Sequence, residues 1–246
     1  MQLSTLVRQM SGNDAKLVGR DQFMIGLIAY PIFNLLFIRF GLPPLTTWLQ
    51  NSYDFDLTPY HMLMVSYLIL VMVPMFVGMV VGLLLIEERD DDTLTVMMIT
   101  PMSLNQLVGY RVLLAAVVSF LTIAVFVPLT NTIVMPFGLL VVIALFASLN
   151  APVTALLFFA IAKDKVQAFG VLKVLSTLNI IPIIAFFVAE PWQYVFGLQP
   201  AYWAIKAFWL AAEGGQLWIY LVISLIVNVV LLRFLTARFQ KQAYGA

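Results

Sequence analysis

Long apolar stretches recur along this chain, with only short polar links between them. A helix that crosses a bilayer needs about 20 consecutive, mostly apolar residues, and six stretches of the 246-residue sequence satisfy that requirement. No hydrophilic stretch leaves room for a second, water-soluble domain. The sequence therefore predicts an all-α integral membrane protein that forms a single transmembrane domain over residues 1–246. The predicted spans are 22–40, 62–86, 107–128, 137–162, 166–188 and 217–235.

Composition and motifs argue against an enzyme. Hydrophobic residues make up 63% of the chain and charged residues 10%, whereas soluble domains are about half apolar and about a quarter charged. Because the chain has no Cys and one His, thiol chemistry is excluded, and His61 alone cannot build a metal site. Neither a G-x-x-x-x-G-K-[ST] phosphate loop nor an H-E-x-x-H motif occurs. We therefore expect no catalytic residue, metal or cofactor on this chain, and its net charge of +1 gives no indication of nucleic acid binding.

The distribution of Lys and Arg predicts the orientation. Only Arg39 and Lys206 of the 13 basic residues fall at one end of the predicted spans, and the other 11 fall at the opposite end. The links 41–59 and 129–136 contain neither residue type. Because Lys and Arg are enriched in cytoplasmic links, both termini are predicted to be cytoplasmic. Two termini on the same side require an even number of spans, which supports six. Arg111 lies close enough to the start of its span to be interpreted as snorkelling to water.

Residues 1–21 are polar and mildly amphipathic, with apolar residues at helical spacing. This pattern favours a short helix that lies in the cytoplasmic interface as an elbow before the first span. A loosely ordered tail is the alternative. The cations of this elbow are Arg8, Lys16 and Arg20.

Segment 87–103 carries the most informative pattern of the chain. Five acids and one Arg fall within six residues, and acids are favourable near the positive end of a helix. Asp92 suits an N-cap, Leu94 begins an apolar turn and Pro101 ends it. The segment therefore predicts a short cytoplasmic helix whose apolar face docks into a partner, and a solvated loop with a charge run is the alternative.

Three stretches of this sequence resemble permeases of the ABC-2 type, the membrane subunits of one class of ABC exporter. The run LLLIEERDDDTLTVMMITPMSLNQLVGYR is similar to the family's acidic segment with its Thr-Pro-x-Ser end. The run KLVGRDQFMIGLIAYPIFNLLFIRFGLPPL resembles the family's elbow and first helix, in particular the subgroup labelled fluoroquinolone or drug export permeases. The run EPWQYVFGLQPAYWAIKAFW resembles its short outer helices before the sixth span.

The resemblance implies a function and its partners. It implies a multi-pass permease in the inner membrane of a prokaryote, which pairs with a second permease copy or a related permease. Two separate ABC ATPase subunits would bind ATP and Mg and would drive export through the elbow and a coupling helix. The residues that the resemblance assigns to coupling are Glu87, Glu88, Arg89, Asp90, Thr93, Leu94, Thr100 and Pro101.

A substrate pathway would need polar side chains inside the spans. Such side chains must find partners in protein or water, so each is a pathway candidate or a hydrogen bond between helices. A mostly apolar wall with a few amides suits an amphipathic, drug-like or lipid-like cargo. The candidates are Tyr30, Asn34, Asn150, Asn179 and Asn228.

Two further patterns concern packing. Gly78 and Gly82 form a G-x-x-x-G pair that permits close approach of another helix, either in this chain or in a second copy. Residues 190–212 are rich in aromatic rings and broken by Pro191 and Pro200, so they are predicted to form short helices at the outer interface. They are either an aromatic belt in contact with lipid or an outer gate.

Three functions remain open on the sequence alone. The first is the permease of an ATP-driven exporter, and the second is a membrane scaffold or assembly protein without cargo. The third, an ion-coupled carrier, is disfavoured because such carriers place ionisable residues at mid-membrane depth, and the predicted spans contain essentially no acid there.

Overall fold

A computed structural model describes residues 3–90 and 104–244 of the chain, with side chains for residues 10–89 and 106–239. Within these ranges every regular element is a helix. Six helices are long and apolar enough to cross a membrane, which confirms the predicted all-α, six-span fold. They are the first to sixth spans: Gln22–Tyr53, Thr58–Arg89, Gln106–Thr130, Phe137–Ile161, Lys165–Phe186 and Trp218–Phe239.

The second span lies at the centre of the bundle. In its most apolar stretch 89% of the residues are buried, against 61% for the fourth span and 22–28% for the other four. A Cβ added at Gly78 would lie 2.4 Å from the carbonyl oxygen of Ala151, and one at Gly82 would lie 2.8 Å from Phe158. The G-x-x-x-G pair therefore brings the second and fourth spans together within one chain and does not serve contact with a second copy.

The first span runs 13 residues past its predicted end at Phe40 (from 40 to Tyr53). Gly41 and the following prolines suggest a helix end, but a π-helical turn over Phe37–Gly41 leads into a further helix, Leu42–Tyr53. Pro43 lies in the first turn of that helix, where a missing N–H costs no internal hydrogen bond. The second span also contains a π-helical turn, over Ser66–Val71.

Two spans are interrupted where polar residues or proline disturb the hydrogen-bond ladder. The fourth span consists of Phe137–Ser148 and Asn150–Ile161, joined at Leu149. The fifth consists of Lys165–Leu178 and Ile181–Phe186, with Pro182 in the first turn of the second piece.

Residues 3–20 form a helix, Leu3–Arg20, that packs against the first span and is called the elbow helix below. Its helical structure agrees with the first of the two sequence interpretations and excludes a tail without secondary structure. The sixth span continues as a helix to Tyr244, and Phe239 stacks against Phe159 at the end of the fourth span. Both chain ends therefore lie at the same end of the bundle, called the termini end, and the opposite end is called the distal end.

Between the fifth and sixth spans the chain forms two short helices, as expected. The first, Trp192–Leu198, is a 3₁₀ helix with exposed Trp192 and Leu198. The second, Ala201–Ala212, is called the inserted helix because it is buried inside the bundle rather than at its surface. Small Ala residues let it approach the second, fourth and sixth spans, and the indole of Trp209 donates a 2.9 Å hydrogen bond to the Ser66 hydroxyl. Its rings Tyr202, Phe208 and Trp209 are buried against other helices, so the interpretation as an aromatic belt in contact with lipid is wrong for them, while the position of the helix at the outer interface stays a prediction.

Candidate functional site: a buried ion-pair network at the termini end

Arg111 occupies the centre of a cluster of charged side chains at the termini end. Its guanidinium is 2.6 Å from a carboxylate oxygen of Asp14 in the elbow helix, and it also pairs with Glu88 at the end of the second span. The Tyr110 hydroxyl donates a 2.8 Å hydrogen bond to the same Asp14 oxygen. Only 2% of the Arg111 side chain is exposed. The prediction that Arg111 snorkels to water is therefore wrong, because two acids pair with its charge inside the protein.

A second cation, Lys165, joins the start of the fifth span to two other helix ends. Lys165 begins the fifth span, and its ammonium lies 3.0 Å from Asp21 and also pairs with Glu87. Asp21 is the N-cap of the first span, where its carboxylate accepts hydrogen bonds from the backbone N–H groups of Phe23 and Met24 at 2.8 and 3.2 Å. The hydrogen bond from Lys165 holds the pKa of Asp21 below its ordinary value, and the capping N–H groups act in the same direction.

Arg89 follows Glu87 and Glu88 in the chain and contacts the end of the fourth span. Its guanidinium donates a 2.7 Å hydrogen bond to the carbonyl of Ala162 and lies 4.6 Å from the centre of the Phe159 ring. A cation over an aromatic face gains electrostatic attraction, and more so where water is excluded. Glu87, Glu88 and Arg89 thus each point to a different neighbouring element.

We call these residues the basal network: Asp14, Asp21, Glu87, Glu88, Arg89, Tyr110, Arg111 and Lys165. The network connects the elbow helix with the starts of the first, third and fifth spans and the ends of the second and fourth. It is adjacent in the chain to residues 91–103, which lie outside the described ranges. The described side chains next to that segment in the chain belong to a network that reaches five of the six spans.

The structure separates the predicted coupling residues into two groups. Glu87, Glu88 and Arg89 belong to the basal network and pair with groups on the fifth, third and fourth spans of the same chain. Asp90 ends the helix of the second span, and its side chain lies outside the described set. The remaining predicted coupling residues, Thr93, Leu94, Thr100 and Pro101, also lie outside the described residues.

Of the predicted elbow cations, Lys16 and Arg20 are exposed on the elbow helix. Arg20 lines an open cleft of about 470 Å³ with Lys165 and Glu87. Arg8 lies in the same helix, and its side chain is outside the described set. The elbow residue that reaches the third span is Asp14, which sequence reasoning missed.

The amides proposed for a pathway lie in helix contacts. Asn34 is buried and donates a 2.9 Å hydrogen bond to the Leu68 carbonyl in the π-helical turn of the second span. Asn150 and Asn228 are buried and donate hydrogen bonds to carbonyls of their own spans, Asn150 across the interruption at Leu149 to Ala147 and Asn228 to Ser224. These three positions agree with the interpretation of polar groups as contacts within and between helices.

Tyr30 and Asn179 are more accessible. The Tyr30 ring is 38% exposed on the surface of the first span and packs 4.3 Å from the Phe76 ring. The Asn179 amide lies where the fifth span is interrupted, bonds the sulfur of Met75 at 3.1 Å and accepts a 2.8 Å hydrogen bond from Gln199. Asn179 therefore links the fifth span to the second span and to the segment that precedes the inserted helix.

Within the described residues no group of three or more His, Asp or Glu side chains could hold a metal ion. The basal network mixes acids with cations at short distance, and each of its four carboxylates pairs with Arg111 or Lys165. This arrangement can hold helix ends together and transmit displacement between them.

These features define a multi-pass, all-helical membrane protein whose charged side chains join the helices at the end that carries both termini. A family model described as "Fluoroquinolones export permease protein Rv2686c-like" matches residues 14–236. Two curated relatives are the fluoroquinolones export permease proteins Rv2686c and MT2760 of Mycobacterium tuberculosis, strains H37Rv and CDC 1551. Each is 32% identical to this chain over 232 residues, which cover 93% of this chain and 91% of the relative. No solved structure matches the chain.

The chain therefore belongs to the Rv2686c-like family of export permeases. This membership confirms the resemblance to drug export permeases on which the sequence interpretation rested. It also confirms that the chain is a multi-pass membrane permease.

Proposed function

We propose that this chain is the membrane subunit of an ATP-driven exporter whose energy comes from a separate ATPase. The observation that carries the proposal is the basal network, which joins the elbow helix to five span ends directly beside the acidic segment 91–103. A partner that displaces this segment thereby moves the second span, and the second span is the buried centre of the bundle.

The proposed arrangement has two ATPase subunits that bind ATP and Mg and two permeases, which are two copies of this chain or this chain and a related permease. The first, third, fifth and sixth spans leave most of their apolar surface uncovered within one chain. That surface suits membrane lipid and a second permease. The termini end faces the cytoplasm of a prokaryotic cell, in agreement with its excess of Lys and Arg.

The proposed cargo is an amphipathic, drug-like molecule. The relatives' names state fluoroquinolone export, which supports this class of substrate for the present chain. Tyr30 and Asn179 are the pathway candidates that the described structure leaves partly accessible. Asn34, Asn150 and Asn228 have structural roles in this proposal.

Co-purification tests whether a separate ATPase binds this chain. We expect that the chain, extracted from its native membrane in mild detergent, brings along a protein with a phosphate-binding loop. Replacement of Leu94 by Asp places a charge in the apolar turn predicted to dock into that partner and should abolish its recovery. The matched control is Leu198→Asp, which changes an exposed leucine in the segment before the inserted helix and should leave recovery unchanged. Failure to recover any ATPase, even after cross-linking, contradicts the proposal.

A further inference from the structure

The two basic residues on the distal side of the chain differ in their partners. Lys206 lies in the inserted helix, and its ammonium is 2.6 Å from the Glu190 carboxylate. Arg39 forms no ion pair within 4.0 Å in the part of the chain that the structure describes. Its guanidinium donates a hydrogen bond to the Leu129 carbonyl and lies 5.6 Å from the centre of the Phe40 ring. One carbonyl uses only part of a guanidinium's five N–H donors.

Arg39 lines a cleft of about 460 Å³ between the first span, the start of the second and the link after the third. The π-helical turn that carries Arg39 widens the first span at this point. His61 forms another wall, and its ring is fixed by a 2.9 Å hydrogen bond to the Thr46 hydroxyl. The link contributes Asn131 and Thr132.

The polar groups of the link largely satisfy one another. Thr130 donates its hydroxyl proton to the Val127 carbonyl, and the Thr132 hydroxyl bonds to the Thr130 carbonyl. None of the residues that line the cleft is acidic. Arg39 is therefore a cation whose remaining donors have no carboxylate opposite them within the cleft.

The surface around the cleft is apolar. Phe40 is 64% exposed and Leu129 is 46% exposed, and both belong to apolar spans. A ligand that fills the cleft and also covers this surface must combine an anionic group with an apolar body. The volume falls within the range of about 300–1,000 Å³ that is typical of small-molecule sites.

We propose that this distal cleft binds the anionic group of an amphiphile, with Arg39 as the binding residue for a phosphate or a carboxylate. A guanidinium fork matches the two oxygens of either group. The phosphate would come from a lipid headgroup, and the carboxylate from a cargo molecule at the distal end. Binding at this cleft does not depend on an ATPase. A negative binding result would therefore leave the proposed transport function standing.

Binding to the purified full chain in a non-ionic maltoside detergent tests the proposal without ATP. The phosphate probe is dihexanoyl phosphatidic acid, with dihexanoylglycerol as its uncharged counterpart. The carboxylate probe is a fluoroquinolone free acid, with its methyl ester as counterpart. We expect saturable binding of at least one anionic probe at about one per chain. Replacement of Arg39 by Gln should weaken it about tenfold or more, because a charge-assisted, bidentate contact is lost.

Three variants distinguish specific binding in the cleft from general attraction to positive charge. Arg39→Lys keeps the charge without the fork and should lose less affinity than Arg39→Gln. Thr132→Trp fills the cleft, leaves Arg39 in place and should abolish binding, so the test stands even where an Arg39 variant folds poorly. Arg233→Gln removes an exposed cation of the sixth span and should change nothing.

The two probes identify the source of the anion. Binding of phosphatidic acid alone assigns the cleft to a lipid headgroup, and binding of the free acid but not its ester assigns it to carboxylate cargo. Absence of saturable binding by both anionic probes overturns the proposal. Equal weakening by Arg39→Gln and Arg233→Gln overturns it as well, since Arg39 would then be an ordinary interfacial cation.

Discussion

Arg111 is the residue on which the centre of the basal network depends. In the described part of the chain it is the cation that pairs with Asp14 and with Glu88, and both of those side chains are nearly buried. Removal of one member of a buried ion pair leaves an uncompensated charge, which costs about 3–5 kcal/mol. Here one cation pairs with two acids, so its loss leaves two like charges near each other without a cation between them.

We therefore expect Arg111→Met to lower the free energy of unfolding by about 3–5 kcal/mol. Denaturant unfolding in detergent micelles, followed by tryptophan fluorescence, measures the change. Neutralisation of both acids in the Arg111→Met background, by Asp14→Asn and Glu88→Gln, should restore a large part of the lost free energy of unfolding. Arg233→Met is the control at an exposed position. Unchanged stability of Arg111→Met would show that the network contributes little.

The sequence could not identify the partners of Arg111. A single Arg near the start of an apolar span is compatible with snorkelling, and Asp14 lies 97 positions away in a helix of mixed polarity. The available signal was the presence of Tyr110 beside Arg111 and of a lone acid in the middle of the elbow helix. Neither signal fixes the orientation of the elbow helix, which tertiary packing decides.

At the scale of the elements, the spans were predictable and their interruptions were not. Runs of about 20 apolar residues report bilayer thickness directly, so each predicted span overlaps an observed one. The π-helical turns at Phe37–Gly41 and Ser66–Val71 have no comparable local signal. They coincide with contacts between spans, such as the hydrogen bond from Asn34 to Leu68. The burial of the inserted helix likewise follows from packing, because its sequence is apolar apart from Lys206 and does not show which neighbours cover it.

The contact between the second and fourth spans supplies a test at this scale. A methyl group at Gly78 would meet the Ala151 carbonyl at 2.4 Å, so Gly78→Ala must separate the two helices. We expect a loss of about 1–3 kcal/mol in the free energy of unfolding, as for other overpacked sites. Gly109→Ala in the third span has nothing within 4 Å of the new methyl and should be neutral or stabilising by up to about 1 kcal/mol. Equal effects of the two variants would contradict the assigned contact.

The inserted helix should respond to acid through the Glu190–Lys206 pair. The hydrogen bond from Lys206 lowers the pKa of Glu190, so the pair's contribution is complete above the ordinary carboxylate pKa. It is lost as the pH falls below the ordinary carboxylate pKa and through the lowered one. Hydrogen exchange of residues 201–212 between pH 6 and pH 3, corrected for intrinsic rates, should show increased opening at the acid end. Glu190→Gln should remove this pH dependence, and persistence of the full acid response in that variant would contradict the assignment.

For the whole molecule, family membership and geometry give complementary information. The family match covers residues 14–236 and assigns the chain to export permeases. The structure adds that the predicted coupling acids Glu87 and Glu88 hold the chain's own helices together. In the proposed function, contact with an ATPase is therefore expected from residues 91–103 and from the exposed face of the elbow helix. The coupling role of segment 87–103 stays a prediction, and a motif cannot distinguish a residue that meets a partner from one that anchors the segment.

ATP-dependent transport in inside-out membrane vesicles that contain the chain and its ATPase tests the central claim most directly. The measurement is accumulation of a fluoroquinolone at fixed ATP concentration, with and without a protonophore. The account predicts accumulation that requires ATP hydrolysis, persists with the protonophore and is abolished by Leu94→Asp. Accumulation that collapses with the protonophore while ATP is constant would contradict the account and indicate an ion-coupled carrier.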